Sequence, residues 1–183
     1  SFSAIADQIT TNTVGLAATA TSGLTVSFTT NSGPAVIADG TNLSFIGSGV
    51  ISITASQAGD DSWNAAPNVT NTFNVTKATA GVTLYDLNRI YNGAAQVVTN
   101  TTTPIGLTVD TTYNGSVTPP TNAGSYAVTG TVNHVMYQGW TNGTLGVLGL
   151  FAITPSVGPN GSILPSSEIS VVEGNNTNFV VTA

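Results

Sequence analysis

The sequence predicts an all-β protein made of small sandwich- or barrel-type units in series, and three features carry that expectation. Only 5% of its 183 residues are charged, where typical soluble domains carry about 25%, and the deficit removes the Glu, Lys and Arg that favour helical surfaces. Apolar and polar residues alternate with the two-residue period of half-buried strands. Clusters of Gly, Asn, Ser and Pro separate these segments and form tight turns. An apolar fraction of 40% can fill a core, so the chain is not a disordered linker.

In chain order, Leu24, Val26 and Phe28 alternate with Thr25, Ser27 and Thr29, and Ile51 and Ile53 with Ser52 and Thr54. The pattern returns at Val82/Leu84, Leu107/Val109, Tyr126/Val128, Phe151/Ile153, Ile169/Val171 and Phe179/Val181. Each pair marks a strand with one face inward. Turns are expected at Asn31-Ser-Gly-Pro34, Ala38-Asp-Gly-Thr41, Gly47-Ser-Gly49, Asn92-Gly93, Asn114-Gly115, Asn122-Ala-Gly124, Asn142-Gly143 and Asn160-Gly161. The longest apolar run, from Leu145 to Ile153, has nine residues, under half of the roughly 20 that a membrane helix needs. It reads as a buried strand, and no membrane insertion is expected.

Self-comparison indicates a module used twice. Gly23-Leu-Thr-Val26 matches Gly106-Leu-Thr-Val109, Gly49-Val-Ile-Ser-Ile-Thr54 corresponds to Gly124-Ser-Tyr-Ala-Val-Thr129, and Trp63-Asn64 falls where Tyr137-Gln138 falls. Phe73-Asn-Val-Thr76 echoes Phe151-Ala-Ile-Thr154. Matches in the same order at near-constant spacing are the mark of tandem units. The joints fall near Thr76-Lys-Ala-Thr79 and Thr154-Pro-Ser156, which divides the chain into residues 1–77, 78–154 and 155–183. The last piece is too short to bury a core alone, so it is expected to be a partial β repeat or a strand-donating tail that needs something packed on it.

These segments resemble known surface modules. Residues 2–78, with Phe2-Ser-Ala-Ile-Ala-Asp-Gln8, Gly49-Val-Ile-Ser-Ile-Thr-Ala-Ser-Gln-Ala-Gly59 and Trp63-Asn-Ala-Ala66, resemble a bacterial immunoglobulin-like surface module. Residues 79–154 are similar to the MBG/YDG type of surface module, through Ile90-Tyr-Asn-Gly93, Gly106-Leu-Thr-Val109, Thr112-Tyr-Asn-Gly115, Pro120-Thr-Asn-Ala-Gly-Ser-Tyr126 and Tyr137-Gln-Gly139. Residues 155–183, with Gly158-Pro-Asn-Gly-Ser-Ile163 and Gly174-Asn175-Asn176, are similar to the first half of a divergent bacterial surface repeat. The resemblance implies tandem immunoglobulin-like β-sandwiches plus a partial third β module, extracellular or on the cell surface, in adhesins, stalks or fibres. It implies no catalytic residue. Family members usually have Tyr-Asp-Gly or Tyr-x-Gly at this turn; here Asn92 replaces the acid, so the resemblance brings no cation site to it.

Composition narrows the chemistry. With two Lys and Arg against eight Asp and Glu, the net charge is −6, which repels nucleic-acid phosphates and anionic headgroups. One His and no Cys leave no usual zinc site, thiol nucleophile or disulfide framework. His134 has no evident nucleophile or acid beside it. Glu168 and Glu173 lie in the incomplete tail and the Asp residues lie in turns, so a pair of carboxylates for glycoside hydrolysis is not expected. Asp86 and Arg89 are expected to form a local salt bridge. The chain is therefore expected to be non-enzymatic, with no cofactor.

Binding candidates are fewer. Asp60 and Asp61, joined by Asp39 or Asp7, are the candidate oxygen ligands for Ca²⁺, against a plain solvated acidic turn. Among the aromatic residues, Trp140 and Tyr113 are the candidate sugar-stacking positions, while Trp63 and Tyr137 occupy equivalent places that suit packing. Lys77, the only lysine, sits at the first joint and reads as an exposed joint residue rather than half of an isopeptide. Asn42, Asn68, Asn74, Asn100, Asn114, Asn142, Asn160 and Asn175 each open an Asn-x-Ser/Thr triplet and are candidate glycosylation sites. The expected role is a structural module of a stalk, adhesin or self-assembling fibre. Its expected partners are neighbouring modules or copies of itself through residues 155–183. The alternative is a carbohydrate-binding module facing a surface glycan.

Overall fold

The computed structural model describes residues 1–182, and every regular element among them is a strand. The all-β expectation holds. Two compact units form: Ser1–Ala80 together with Val132–Gly139, and Gly81–Thr131 together with Trp140 onward.

The first unit is a two-layer sandwich. One sheet has the order Gln8–Ile9, Ala66–Thr76, Gly49–Gln57, Ser27–Ser32, and the other has the order Thr13–Gly15, Asn42–Phe45, Ala35–Ala38. Alternation places Ile51 and Ile53 of one strand and Phe73 and Val75 of its neighbour on the same inner face, against Leu43, Phe45 and Leu16. The Phe45 and Phe73 rings meet edge-on at 6.1 Å, a favoured aromatic arrangement. The outer face of the same sheet carries hydroxyls that pair across strands, Thr54 with Thr70 at 2.7 Å and Ser27 with Ser56 at 3.0 Å. The Gln8–Ile9 strand covers only Val75 and Thr76 of its neighbour. Upstream, the edge is closed by side chains: Asp7 Oδ1 accepts from the Asn74 N–H at 2.8 Å, and Asn71 Nδ2 donates to the Ser3 carbonyl at 2.6 Å. The expected Leu24-to-Phe28 strand is shorter than its pattern. Exposure alternates from Leu24 onward, but pairing begins at Ser27 because no neighbour lies beside Leu24–Val26 to complete a ladder.

The second unit repeats the strand order of the main sheet: Asn88–Ile90, Trp140–Leu148, Gly124–Val132, Val109–Tyr113. Gly81–Tyr85 pairs with Thr99–Thr103. Val98, Tyr113, Val128, Leu145 and Val147 form its core, with Leu84, Leu87 and Tyr126 packed on them. The central hairpins of the two units correspond closely. Each opens on a glycine, Gly49 at φ 148° and Gly124 at φ 151°, a backbone region closed to most side chains. Gly49 faces Val75 and Gly124 faces Val147, and each valine also receives a short parallel strand, at Gln8 and Arg89 respectively.

That register corrects one expected equivalence. The counterpart of Phe73-Asn-Val-Thr76 is Leu145-Gly-Val-Leu148, not Phe151-Ala-Ile-Thr154. Phe73 and Val75 are 3% exposed and Leu145 and Val147 are 0% and 2%, whereas Phe151 and Ile153 are 57% and 37% exposed. The run from Leu145 to Ile153 is likewise not one buried strand. It breaks at Gly149, and Leu150–Ile153 pairs only with Ile169–Val172, a two-stranded ribbon with no layer over it. Ser162–Leu164 pairs with Val180–Thr182 in a second such ribbon. No residue from Leu150 to Thr182 is buried, in keeping with a segment too short for its own core.

The first joint is not a bare linker. Ala78–Thr79 is a strand that runs parallel to Tyr137–Gln138, with Ala78 and Ala80 donating to the carbonyls of Met136 and Gln138 at 2.9 and 2.8 Å. Thr10, 1% exposed, donates to the same Met136 carbonyl and accepts from the Ala78 N–H at 3.0 Å. These bonds make residues 132–139 part of the first unit although they lie far along the chain.

Candidate functional site

Lys77 is half-buried rather than exposed, and its Nζ donates to the His134 carbonyl at 2.6 Å. A backbone carbonyl is not the side-chain amide that an isopeptide would require. The His134 ring stacks at a tilt on Tyr137, centroids 5.4 Å apart, and its Nδ1 accepts from the Met136 N–H at 3.1 Å. His134 and Lys77 thus hold one loop in shape. Asp86 and Arg89 form the expected ion pair at 3.4 Å, both side chains more than a third exposed, so the pair contributes only about 0–1 kcal/mol.

Asp60 Oδ1 accepts from the N–H groups of Ser62 and Trp63, both at 2.9 Å, which makes it the brace of a turn. Asp7 is occupied at the sheet edge and Asp39 sits in a turn at φ 49°. No group of three or more His, Asp or Glu gathers among the described residues, so neither Asp39 nor Asp7 joins Asp60 and Asp61. Glu168 and Glu173 are also locally occupied: Thr154 Oγ1 donates to Glu168 at 3.2 Å, and the Gly149 N–H to Glu173 at 2.9 Å.

The aromatic candidates separate clearly. Tyr113 is 4% exposed, and its hydroxyl accepts from the buried Val98 N–H at 2.9 Å. The expectation that Tyr113 stacks on a ligand is therefore corrected: alternation along Val109–Tyr113 turns this ring into the core. Tyr113→Phe is expected to lower stability by about 1–3 kcal/mol in chemical denaturation, because it leaves a buried N–H unsatisfied. Trp140 is 69% exposed on its strand, and Trp63 is 51% exposed in its loop, not a core cap. Of the eight triplet asparagines, Asn100 is half-buried and the other seven are exposed.

One groove escaped the sequence reading. Tyr91, Asn122, Gly149, Leu150, Phe151 and Glu173 line a hollow of about 300 Å³. Two rings, an amide and a carboxylate come together there from four separate stretches of chain. No local motif announces such a gathering, because the break at Gly149 and the pairing of Leu150–Ile153 create it.

Residues 80–148 match the family model of the MBG domain. MBG domains are a surface-associated module family. The match stops at Leu148, the last residue of the strand Trp140–Leu148, and leaves Leu150–Ile153 outside. The register had already excluded that segment from the core. No curated protein matches the chain.

Proposed function

We propose that the chain is a non-enzymatic structural segment of an extracellular or cell-surface protein, a piece of stalk, adhesin or fibre. The MBG match at residues 80–148 carries this reading. On this reading the first unit is an immunoglobulin-like module, and residues 155–183 are a partial surface repeat through which copies of the chain associate. Sandwiches in series give length by repetition, and a Ser/Thr/Asn surface with few charges depends little on salt or pH.

Antibodies raised against the folded chain are expected to label intact cells that make the parent protein. Labelling seen only after permeabilisation would overturn the surface assignment. For association, removal of residues 155–183 is expected to shorten polymers in electron micrographs, and unchanged length rejects that partner.

Resistance to proteolysis gives a further check. The chain offers trypsin only Lys77 and Arg89. Lys77 lies between two paired strands with its amine bonded, and Arg89 is the middle residue of a paired strand. The folded chain is expected to stay intact under a digestion that cuts the urea-unfolded chain into three pieces, since cleavage must wait for local opening.

The groove at Tyr91 and Phe151, with the exposed Trp140, favours carbohydrate binding as a second reading. A glycan array that shows binding abolished by Tyr91→Ala or Trp140→Ala would establish it. An array at background favours the scaffold alone.

A further inference from the structure

The chain contains four Asn-Gly steps, at Asn92, Asn114, Asn142 and Asn160. At such a step the backbone nitrogen of the glycine can attack the preceding side-chain carboxamide, because glycine places no side chain in its path. The fold treats the four differently. Asn92 Oδ1 accepts from the Ala94 N–H at 3.0 Å and from Gln96 Nε2 at 2.5 Å. Asn114 Oδ1 accepts from the Ala127 N–H at 2.8 Å. Asn142 lies inside the strand Trp140–Leu148, opposite Thr129, whose hydroxyl donates to its Oδ1 at 2.9 Å.

Asn160 differs from these three. It is exposed in a turn at φ 70°, and its side-chain amide has no hydrogen-bond partner among the described residues. The one bond beside it, from the Gly161 N–H to the Gly158 carbonyl, is stretched to 3.4 Å, beyond the usual range for N–H···O. The Asn160 carboxamide is therefore free and only this long bond holds the Gly161 N–H, while at the other three steps a side-chain hydrogen bond must first break.

We propose that Asn160 is a self-modification site that converts spontaneously to isoaspartate and aspartate while the protein remains folded. Base removes the proton from the Gly161 backbone nitrogen, and that nitrogen bonds to Asn160 Cγ. The Cγ–Nδ2 bond breaks, and Nδ2 takes a proton from water and leaves as ammonia. Water then opens the five-membered succinimide at either carbonyl. The sum is one amide and one water giving one carboxylic acid and one ammonia, with no oxidant or reductant. The product adds a negative charge and, as isoaspartate, an extra methylene to the main chain two residues before Ser162–Leu164. Asn160 also opens an Asn-Gly-Ser triplet, and a glycan on Nδ2 would block the reaction, so the test uses unglycosylated protein.

The folded chain is held in mildly alkaline buffer, digested with trypsin and chymotrypsin, and mapped by mass spectrometry with isoaspartate methyltransferase labelling. Isoaspartate at Asn160 is expected to exceed that at Asn92, Asn114 and Asn142 by about tenfold, the factor that one held hydrogen bond represents. In urea the four sites are expected to converge. Asn160→Gly, which suits the positive φ, is expected to remove the signal from that peptide with an unchanged circular dichroism spectrum. Equal reaction at any of the other three steps in the folded chain, reaction of Asn160 only in urea, or a signal that survives Asn160→Gly would overturn the proposal.

Discussion

Leu145→Ala is expected to destabilise the second unit by about 2–5 kcal/mol, the range for deleting a fully buried aliphatic side chain, and Phe151→Ala by less than about 1 kcal/mol. Leu145 is 0% exposed and packs with Val98, Tyr113, Val128 and Val147, while Phe151 stands 57% exposed on a two-stranded ribbon. The contrast is informative because the sequence offers Phe151 as the partner of Phe73 and places Leu145 and Phe151 together in one buried run. Urea melts followed by tryptophan and tyrosine fluorescence would measure both. Equal losses for the two variants, or a larger loss for Phe151→Ala, would mean that the core continues through Ile153.

Gly139→Ala is expected to destabilise the first unit by about 1–3 kcal/mol, the usual range for overpacking. A Cβ at that position would stand 2.1 Å from the Ala80 carbonyl oxygen and 3.0 Å from its carbon, both backbone atoms that cannot turn aside. Relief requires separating Ala78–Thr79 from Tyr137–Gln138, which also disturbs the buried Thr10 bonded to Met136 and Ala78. Hydrogen exchange read by mass spectrometry should show the Ala78 and Ala80 amides losing protection. If protection and stability are both unchanged, residues 132–139 do not belong to the first unit's fold.

Much of the strand content could be read directly. Val82/Leu84, Tyr126/Val128 and Ile51/Ile53 lie in strands with the expected alternation, because a period of two is a local property that each segment carries regardless of its neighbours. Pairing could not be read the same way. Leu24–Val26 has the pattern without a ladder, and Phe151/Ile153 has it without burial, since both outcomes depend on whether another strand or layer arrives. Tyr113 shows the same limit at a candidate site. An aromatic residue beside an Asn-Gly turn looks available for binding, and only the direction of its strand places it in the core. Asp60 was legible as an acidic turn residue, but its role in bracing Ser62 and Trp63 depends on the course of the backbone.

The sequence by itself determined that the chain is all strand, low in charge and punctuated by turns. Those properties follow from composition and from spacing over a few residues. Tertiary structure alone decided that the core of the second unit closes at Leu148, that residues 132–139 complete the first unit, and that Tyr91, Asn122, Phe151 and Glu173 share a groove. Such outcomes depend on contacts between stretches far apart in the chain, and no local pattern encodes the distance across which two strands will pair.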